Sequence, residues 1–366
     1  MVLEDKIWIL WASQGVIIKT VEVENVDRNQ LDATVAKFRE LLENPGSDIA
    51  EIKTTGKQLY DWLIKPIESE IKANNIENLV FSLDRSTRYI PMNALFDGQQ
   101  YLVENYNVST VISAGLTNMS DRLPPNIDET QVLALGLSDA KSGFNALPNV
   151  LSEVNAIVRT NSKESQGIYP GLKFLNQEFT WESLRDNLQG KKILHIATHG
   201  EFVPKDPQAS YLLLGNGDKL PIADINLLQS WDNTHLVVLS ACETARGGAN
   251  QNGVEISGIS SYFLGTNKAQ AVIASLWQVN DASTSQLMQR FYSNLAENDS
   301  PTKIQALRQA QLSLLQGNNS TVSLDAERRG INVEVSPNAP SRHQRGASGY
   351  SHPYYWGAFI LIGNSL

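Results

Sequence analysis

The sequence predicts an α/β protein whose main sheet is mostly parallel and flanked by helices. Two observations predict it. Short, wholly apolar runs recur after residue 130, in QVLALGL (131–137), KKILHIATHG, HLVVLSAC (235–242), AVIASLWQV (271–279) and WGAFILIG (356–363). Between most of them stand segments whose apolar residues recur at helical spacing, so strand and helix alternate. A strand apolar on both sides must be buried on both faces, which is the grammar of a parallel sheet covered by helices.

The elements follow in order. IWILWA and GVIIKTVEV read as a hairpin, and Leu31, Val35, Phe38 and Leu42 as a helix. Leu59, Trp62, Leu63, Ile67 and Ile71 mark a second helix that Pro66 kinks or splits. LVFSLD (79–84) is a buried strand, and RYIPMNALFDGQQYLVENYNVSTV is expected to form short antiparallel pieces joined at Asp97-Gly98. The polar segment DRLPPNIDET then separates a smaller N-terminal α/β region, 1–125, from a larger one, 126–366. In the larger region SEVNAIVRT is a helix, Thr180 caps another, and a third is bounded by glycines around Ile259, Tyr262 and Phe263. Leu287, Met288, Phe291 and Leu295 share one face of the next, and Ser300-Pro301 opens the last, which ends near Leu315. Residues 316–352, polar and rich in Gly, Ser, Asn and Pro, form a long surface loop.

Composition bounds the function. A formal charge of −9 and a pI near 5.2 leave no general basic surface for nucleic acid. No apolar run reaches the roughly 18 residues of a membrane span, and MVLEDKIWILW carries acid where a secretory signal carries base. The chain reads as cytoplasmic, with no membrane partner. One cysteine among 366 residues excludes an intrachain disulfide and any multi-thiolate metal site.

Ligands of open α/β sheets bind beyond the carboxyl ends of the strands. Two strands end there on reactive side chains: KKILHIATHG on His199-Gly200, and HLVVLSACET on Cys242. A lone cysteine at a strand end is ordinarily a small buried hydrophobe, and a lone histidine there is no more informative. The ordered pair, His199 standing 43 residues before Cys242, is more specific, because caspase-type enzymes set their histidine some 50 residues upstream of the cysteine. A thiolate beside an imidazole is the minimal set for amide hydrolysis through an acyl-enzyme. The backbone N–H groups of Gly200 and Cys242 are candidate oxyanion donors. His195 and His199 form H-x-x-x-H, yet on a strand, without an intervening Glu, so His195 is read as a core residue and no metal or cofactor is expected.

The segments DRSTRYIPMNALFDGQQYLVENYNVS, KKILHIATHGEF, YLLLGNGDKLPIADI, HLVVLSACETARGG, AVIASLWQVNDAST and SHPYYWGAFILIG resemble, in order, those of the CHAT domain, a caspase-like group of clan CD cysteine peptidases related to separase. The resemblance implies a caspase-like sheet with a pseudo-caspase-like accessory region before it. It implies His199 and Cys242 as the dyad, Gly200 as the oxyanion glycine, and a protein substrate. Because many such domains follow helical repeats, it also implies a helical-repeat or other regulatory protein as partner. LWQVND (276–281) resembles the separase segment whose aspartate holds an arginine at P1, which assigns Asp281 to the pocket, with Asp139 as a further acidic group. Asp281 also precedes a helix and fits an N-cap, and the two roles are compatible. Glu201 and Glu243, beside the dyad, read as solvated or structural. An arginine-directed enzyme would find Arg328, Arg329, Arg342 and Arg345 in its own 316–352 loop. Three functions stand open: a cysteine endopeptidase cutting after Arg or Lys, a catalytically silent binding module, and another thiol acyl-transfer enzyme.

Overall fold

The structure is a computed structural model of the full chain, and it describes all residues except 14, 15, 114, 116, 162, 165, 202, 204, 205, 207, 230, 232, 233, 241–261, 266, 267, 298 and 318–348. Strands β1 (Ile7–Ser13) and β2 (Val16–Val23) pair as an antiparallel hairpin. Helix α1 (Arg28–Glu43) starts from a capping box in which Asp27 and Gln30 satisfy each other's backbone N–H groups, and it buries Leu31, Val35, Phe38 and Leu42. Helix α2 (Ile49–Leu63) stops where Pro66 enters, and a 3₁₀ turn carries the chain into α3 (Glu68–Ala73).

Strand β3 (Asn78–Phe81) is followed by a stretch that departs from the expected antiparallel pieces. Residues 85–94 are mainly 3₁₀ turns, and only the single bridge Phe96–Tyr101 pairs antiparallel. Asp97 closes its turn by accepting from the N–H groups of Gln99 and Gln100. Glu104 reaches back to the Tyr101 N–H, opening the short helix α4 (Leu102–Asn105) where a strand was expected. Strand β4 (Asn107–Thr110) then pairs parallel with β3.

The second part alternates strand and helix: β5 (Val132–Gly136), α5 (Asn149–Ile157), β6 (Val158–Arg159), β7 (Tyr169–Leu175), α6 (Trp181–Asn187, capped by Thr180) and β8 (Ile193–Ala197). Of these, β6 and β7 are not in the sequence reading, which takes Val158 and Arg159 as helical. Strands β9 (Gly200–Glu201), β10 (Tyr211–Leu213) and β11 (Lys219–Pro221) make a separate antiparallel sheet beyond the end of β8. Then come β12 (Leu236–Leu239), β13 (Ala271–Ser275), α7 (Asp281–Leu295), α8 (Lys303–Leu315), α9 (Pro353–Trp356) and β14 (Phe359–Gly363). Thr302, not Ser300, caps α8, because the box with Gln305 needs the oxygen three residues before it. The glycine-bounded helix expected around Ile259 lies mostly outside the described residues.

Among the described residues the main sheet has nine strands in the order β3-β4-β14-β13-β12-β8-β5-β7-β6, with only the β13–β14 pair antiparallel. This is the mostly parallel α/β architecture that the apolar runs predict. Strands β3 and β4, from before residue 125, hydrogen-bond into the same sheet through β14. Alternation along each central strand feeds two cores. Val132, Ala134, Ile193, Val238 and Ile273 face α5, α7 and α8, whereas Leu133, Leu135, Leu194, Ile196, Val237 and Val272 face α6 and β10. With both faces apolar and covered, register is fixed, since a one-residue slip would bring every side chain to the wrong core. No helix among the described residues is long and apolar enough to cross a membrane.

Candidate functional site

Strand β8 lies between β5 and β12, parallel to both. Ile196 pairs with Leu239, and the pairing runs on to Ser240, whose N–H donates to Ile196 O at 2.9 Å. The chain leaves β8 through buried Thr198, whose hydroxyl donates to Leu213 O at 2.6 Å, and reaches His199, which is half-buried at the carboxyl edge of the sheet. Cys242 and Glu243 lie outside the described residues, as do Arg328, Arg329, Arg342 and Arg345.

The backbone around His199 is set by β10. Leu213 N–H donates to His199 O at 2.8 Å, and Gly200 stands opposite Leu212. In an antiparallel pair hydrogen-bonded positions alternate, so Gly200 falls between two of them and its N–H turns away from β10. Strand β9 is the edge of its sheet among the described residues, so no strand of that sheet takes this N–H. Glu201 is exposed and accepts from the Tyr211 hydroxyl at 2.8 Å, while Lys219 Nζ sits 3.9 Å over the Tyr211 ring, as befits a structural residue.

The group that orients His199 comes from the loop between β5 and α5. His199 Nε2 lies 2.8 Å from the carbonyl oxygen of Asn145, and the Phe144 ring stacks on the imidazole with centroids 4.8 Å apart and planes tilted by 31°. A carbonyl only accepts, so Nε2 carries a proton, and in the neutral ring the lone pair is on Nδ1. Sequence reasoning finds neither partner: any residue type supplies a carbonyl, and the one local signal is the Ser142-Gly143 turn dipeptide ahead of an aromatic.

The two acidic candidates stand at opposite ends of this loop. Asp139 is exposed at its start, where Asn176 Oδ1 accepts from the N–H groups of both Ser138 and Asp139. Asp281 is the first residue of α7, and Asn280, not Asp281, is the N-cap. Its carboxylate acts on a different helix: Oδ2 accepts from Asn149 N at 3.0 Å and from Asn149 Nδ2 at 2.6 Å. The N-cap position of α5 is Pro148, which offers no side-chain cap, so Asp281 caps α5 from a distant part of the chain and meets the positive end of its dipole. Oδ1 of Asp281 has no hydrogen-bond partner among the described residues.

His195, four residues upstream, faces the core. Tyr292 O–H stands 3.1 Å from Nδ1, and Glu153 Oε1 lies 2.9 Å from Nε2, an ion-pair contact off the line of a straight hydrogen bond. Burial, and after it the Glu153 carboxylate, holds the Tyr292 hydroxyl well above its ordinary pKa, so it stays protonated as the donor. No cluster of three metal-ligating side chains occurs among the described residues.

Fold and edge together define an α/β protein with a histidine presented at the carboxyl end of a central parallel strand. The sequence match narrows the class: the model of the CHAT domain covers residues 53–364, and the chain belongs to that family. No curated protein matches it. Among solved structures it overlays on the Arg-specific cysteine proteinase gingipain R (11% identity, TM-score 0.47, covering 92% of this chain and 74% of that one). It also overlays on the complex of Porphyromonas gingivalis RgpB pro- and mature domains (10%, 0.45, 92% and 77%). The third is the Saccharomyces cerevisiae separase–securin complex (13%, 0.48, 97%), where it spans 21% of the separase chain.

Proposed function

We propose that the chain is a cysteine endopeptidase in which Cys242 is the nucleophile and His199 the proton carrier, cutting protein substrates after arginine or lysine. One observation carries the reading. Strands β8 and β12 are neighbours and parallel, and Ile196 pairs with Leu239. His199 is the third residue after Ile196, and Cys242 the third after Leu239. On this reading, the equal run-out from a paired position sets both side chains at one edge, with Nδ1 of His199 the nitrogen left to act.

The chemistry follows from those groups. The Cys242 thiol gives its proton to His199 Nδ1, and the sulfur attacks the carbonyl carbon of the scissile amide. The oxyanion that forms is received by the Gly200 N–H, which β10 does not use, and by the N–H of Cys242. Imidazolium returns the proton to the leaving amine as the C–N bond breaks, giving a thioester. Water then adds to the thioester, losing its proton to His199, and the acid product leaves as Cys242 regains its hydrogen. Throughout, Asn145 O keeps the other ring proton in place. Asp281 Oδ1 is the pocket group for a P1 guanidinium, with Asp139 contributing negative charge at the other end of the same loop. The accessory role of residues 1–125 and a regulatory protein partner belong to the same reading.

A panel of fluorogenic peptides varying only at P1 tests it. Turnover after Arg and Lys is expected, falling at least ~10³-fold in both Cys242→Ala and His199→Ala. No turnover, together with no labelling of Cys242 by an arginyl acyloxymethyl ketone, would favour the silent binding module. Labelling without peptide turnover would favour another thiol acyl-transfer enzyme.

A further inference from the structure

We infer that Phe144 is a positioning residue of this site, whose stacked ring holds the His199 imidazole with Nε2–H on Asn145 O and Nδ1 toward the reaction. The inference rests on the reading of His199 as proton carrier. A histidine ring turns easily about its last torsion, where the wells are broad. Reversing it would put a carbon on Asn145 O and withdraw Nδ1 from the edge. Only one hydrogen bond, to Asn145 O, opposes that reversal among the described residues, and a single such bond is a weak restraint. The Phe144 ring, 4.8 Å away and tilted by 31°, covers one face of the imidazole and supplies the rest.

Phe144 can do this because it is itself held. Lys141 and Phe144 exchange both backbone hydrogen bonds, at 3.2 and 2.8 Å, around Ser142 and Gly143. Those two residues have φ of +49° and +86°, the two positive values of a type I′ turn, and Gly143 meets the second without strain. Ser142 Oγ donates to Gly217 O at 3.2 Å, tying the turn to the loop after β10. The Phe144 ring packs against the core on the α6 face of the sheet. Leu147 N–H donates to Ser138 O at 2.9 Å, closing the base of the arch, and Asp281 fixes its far end through Asn149. Phe144 and Asn145 are consecutive, so one turn sets both the face and the edge of the imidazole. The aromatic face also favours the imidazolium that forms when the thiol gives up its proton.

Selective ¹⁵N-histidine labelling tests this, because two- and three-bond couplings identify the protonated ring nitrogen. The chain has only five histidines, and His199→Gln assigns the signal. Wild type is expected in the Nε2–H tautomer. Phe144→Leu is expected to mix the tautomers and lower kcat for the arginyl peptide about 3- to 10-fold with KM little changed. Phe144→Tyr, which keeps the ring, is expected to restore both. A Phe144→Leu protein, folded by its melting curve, that keeps wild-type tautomer signals would overturn the inference. So would Phe144→Tyr failing to rescue. The tautomer signal does not require turnover. If no protein cleaves peptide yet the tautomers mix in Phe144→Leu, the endopeptidase reading fails and the role of Phe144 in orienting the ring stands.

Discussion

His195 lies in β8 and His199 just past its end, four residues apart, yet the chain treats them oppositely. His195 is fully buried and has a protein partner at each ring nitrogen, Tyr292 on one side and Glu153 on the other. His199 is half-buried and gives one nitrogen to a neutral carbonyl, leaving the other at the edge of the sheet. The difference separates a histidine that holds elements together from one that can exchange a proton. His195 joins β8 to α5 and α7 on one face of the sheet, whereas His199 is held only enough to fix which nitrogen donates to Asn145 O.

The largest effects should break the two roles apart. Glu153→Ala leaves His195 Nε2 facing an emptied site in the core, and is expected to cost about 3 kcal/mol of stability. Labelling of Cys242 per folded molecule should remain near wild type. His199→Gln should show the reverse, with denaturant midpoints close to wild type and labelling lost. If Glu153→Ala abolished labelling of the folded protein, the buried pair would belong to the chemistry and the contrast would fall.

How much of this the sequence contains differs between the two histidines. The apolar strands, the splitting of a helix at Pro66 and the Thr180 cap are legible because each is a local preference with a fixed periodicity or position. His199-Gly200 is legible because it ends an apolar run. The partners are not, because they are distant in the chain and chemically plain. Asn145 acts through a carbonyl every residue owns, and Asp281 finds Asn149 at a separation of 132 residues. Likewise β14 reads as one more buried strand, because an antiparallel strand covered on both faces has the same apolar run as a parallel one. The 3₁₀ turns of 85–94 are not legible in the sequence, because their shape is set by caps and by burial of Tyr89, Ile90 and Met92, not by alternation.

A third histidine grades the comparison. His235, just before β12, is buried, and its Nδ1 has no partner among the described residues, while Nε2 lies 3.9 Å from Asp121. Burial pushes its pKa down from 6.5 to about 4, against the attraction of Asp121 and with Lys192 and Lys303 adding repulsion. The folded chain therefore keeps His235 neutral where the unfolded chain takes up a proton. Its contribution to stability is full above about pH 6.5 and is lost as pH falls toward about 4. Allowing for solvent screening, the loss is roughly 2 kcal/mol. Denaturant titrations at pH 6.5 and 4.5 should show wild type losing about that much more than His235→Gln. Equal losses would exclude His235 as the acid-sensitive group.

The smallest effect concerns the other end of the arch that orients His199. Asp281 has two tasks in the proposed enzyme: Oδ2 caps α5 through Asn149, and Oδ1 meets the P1 guanidinium. Asp281→Ala removes both, and Asp281→Asn removes the charge while keeping an amide oxygen that can accept from Asn149 N–H. Cleavage after arginine should fall by about 10-fold in each, as for the loss of one charge-assisted pair. Only the alanine variant should also lose the cap, at a cost near 1 kcal/mol in unfolding free energy. Kinetics on the arginyl peptide, set beside denaturant curves of the same samples, resolve the two tasks. If Asp281→Asn cut after arginine as fast as wild type while Asp281→Ala did not, Asp281 would serve the site only by anchoring the arch, and the pocket would need another acid.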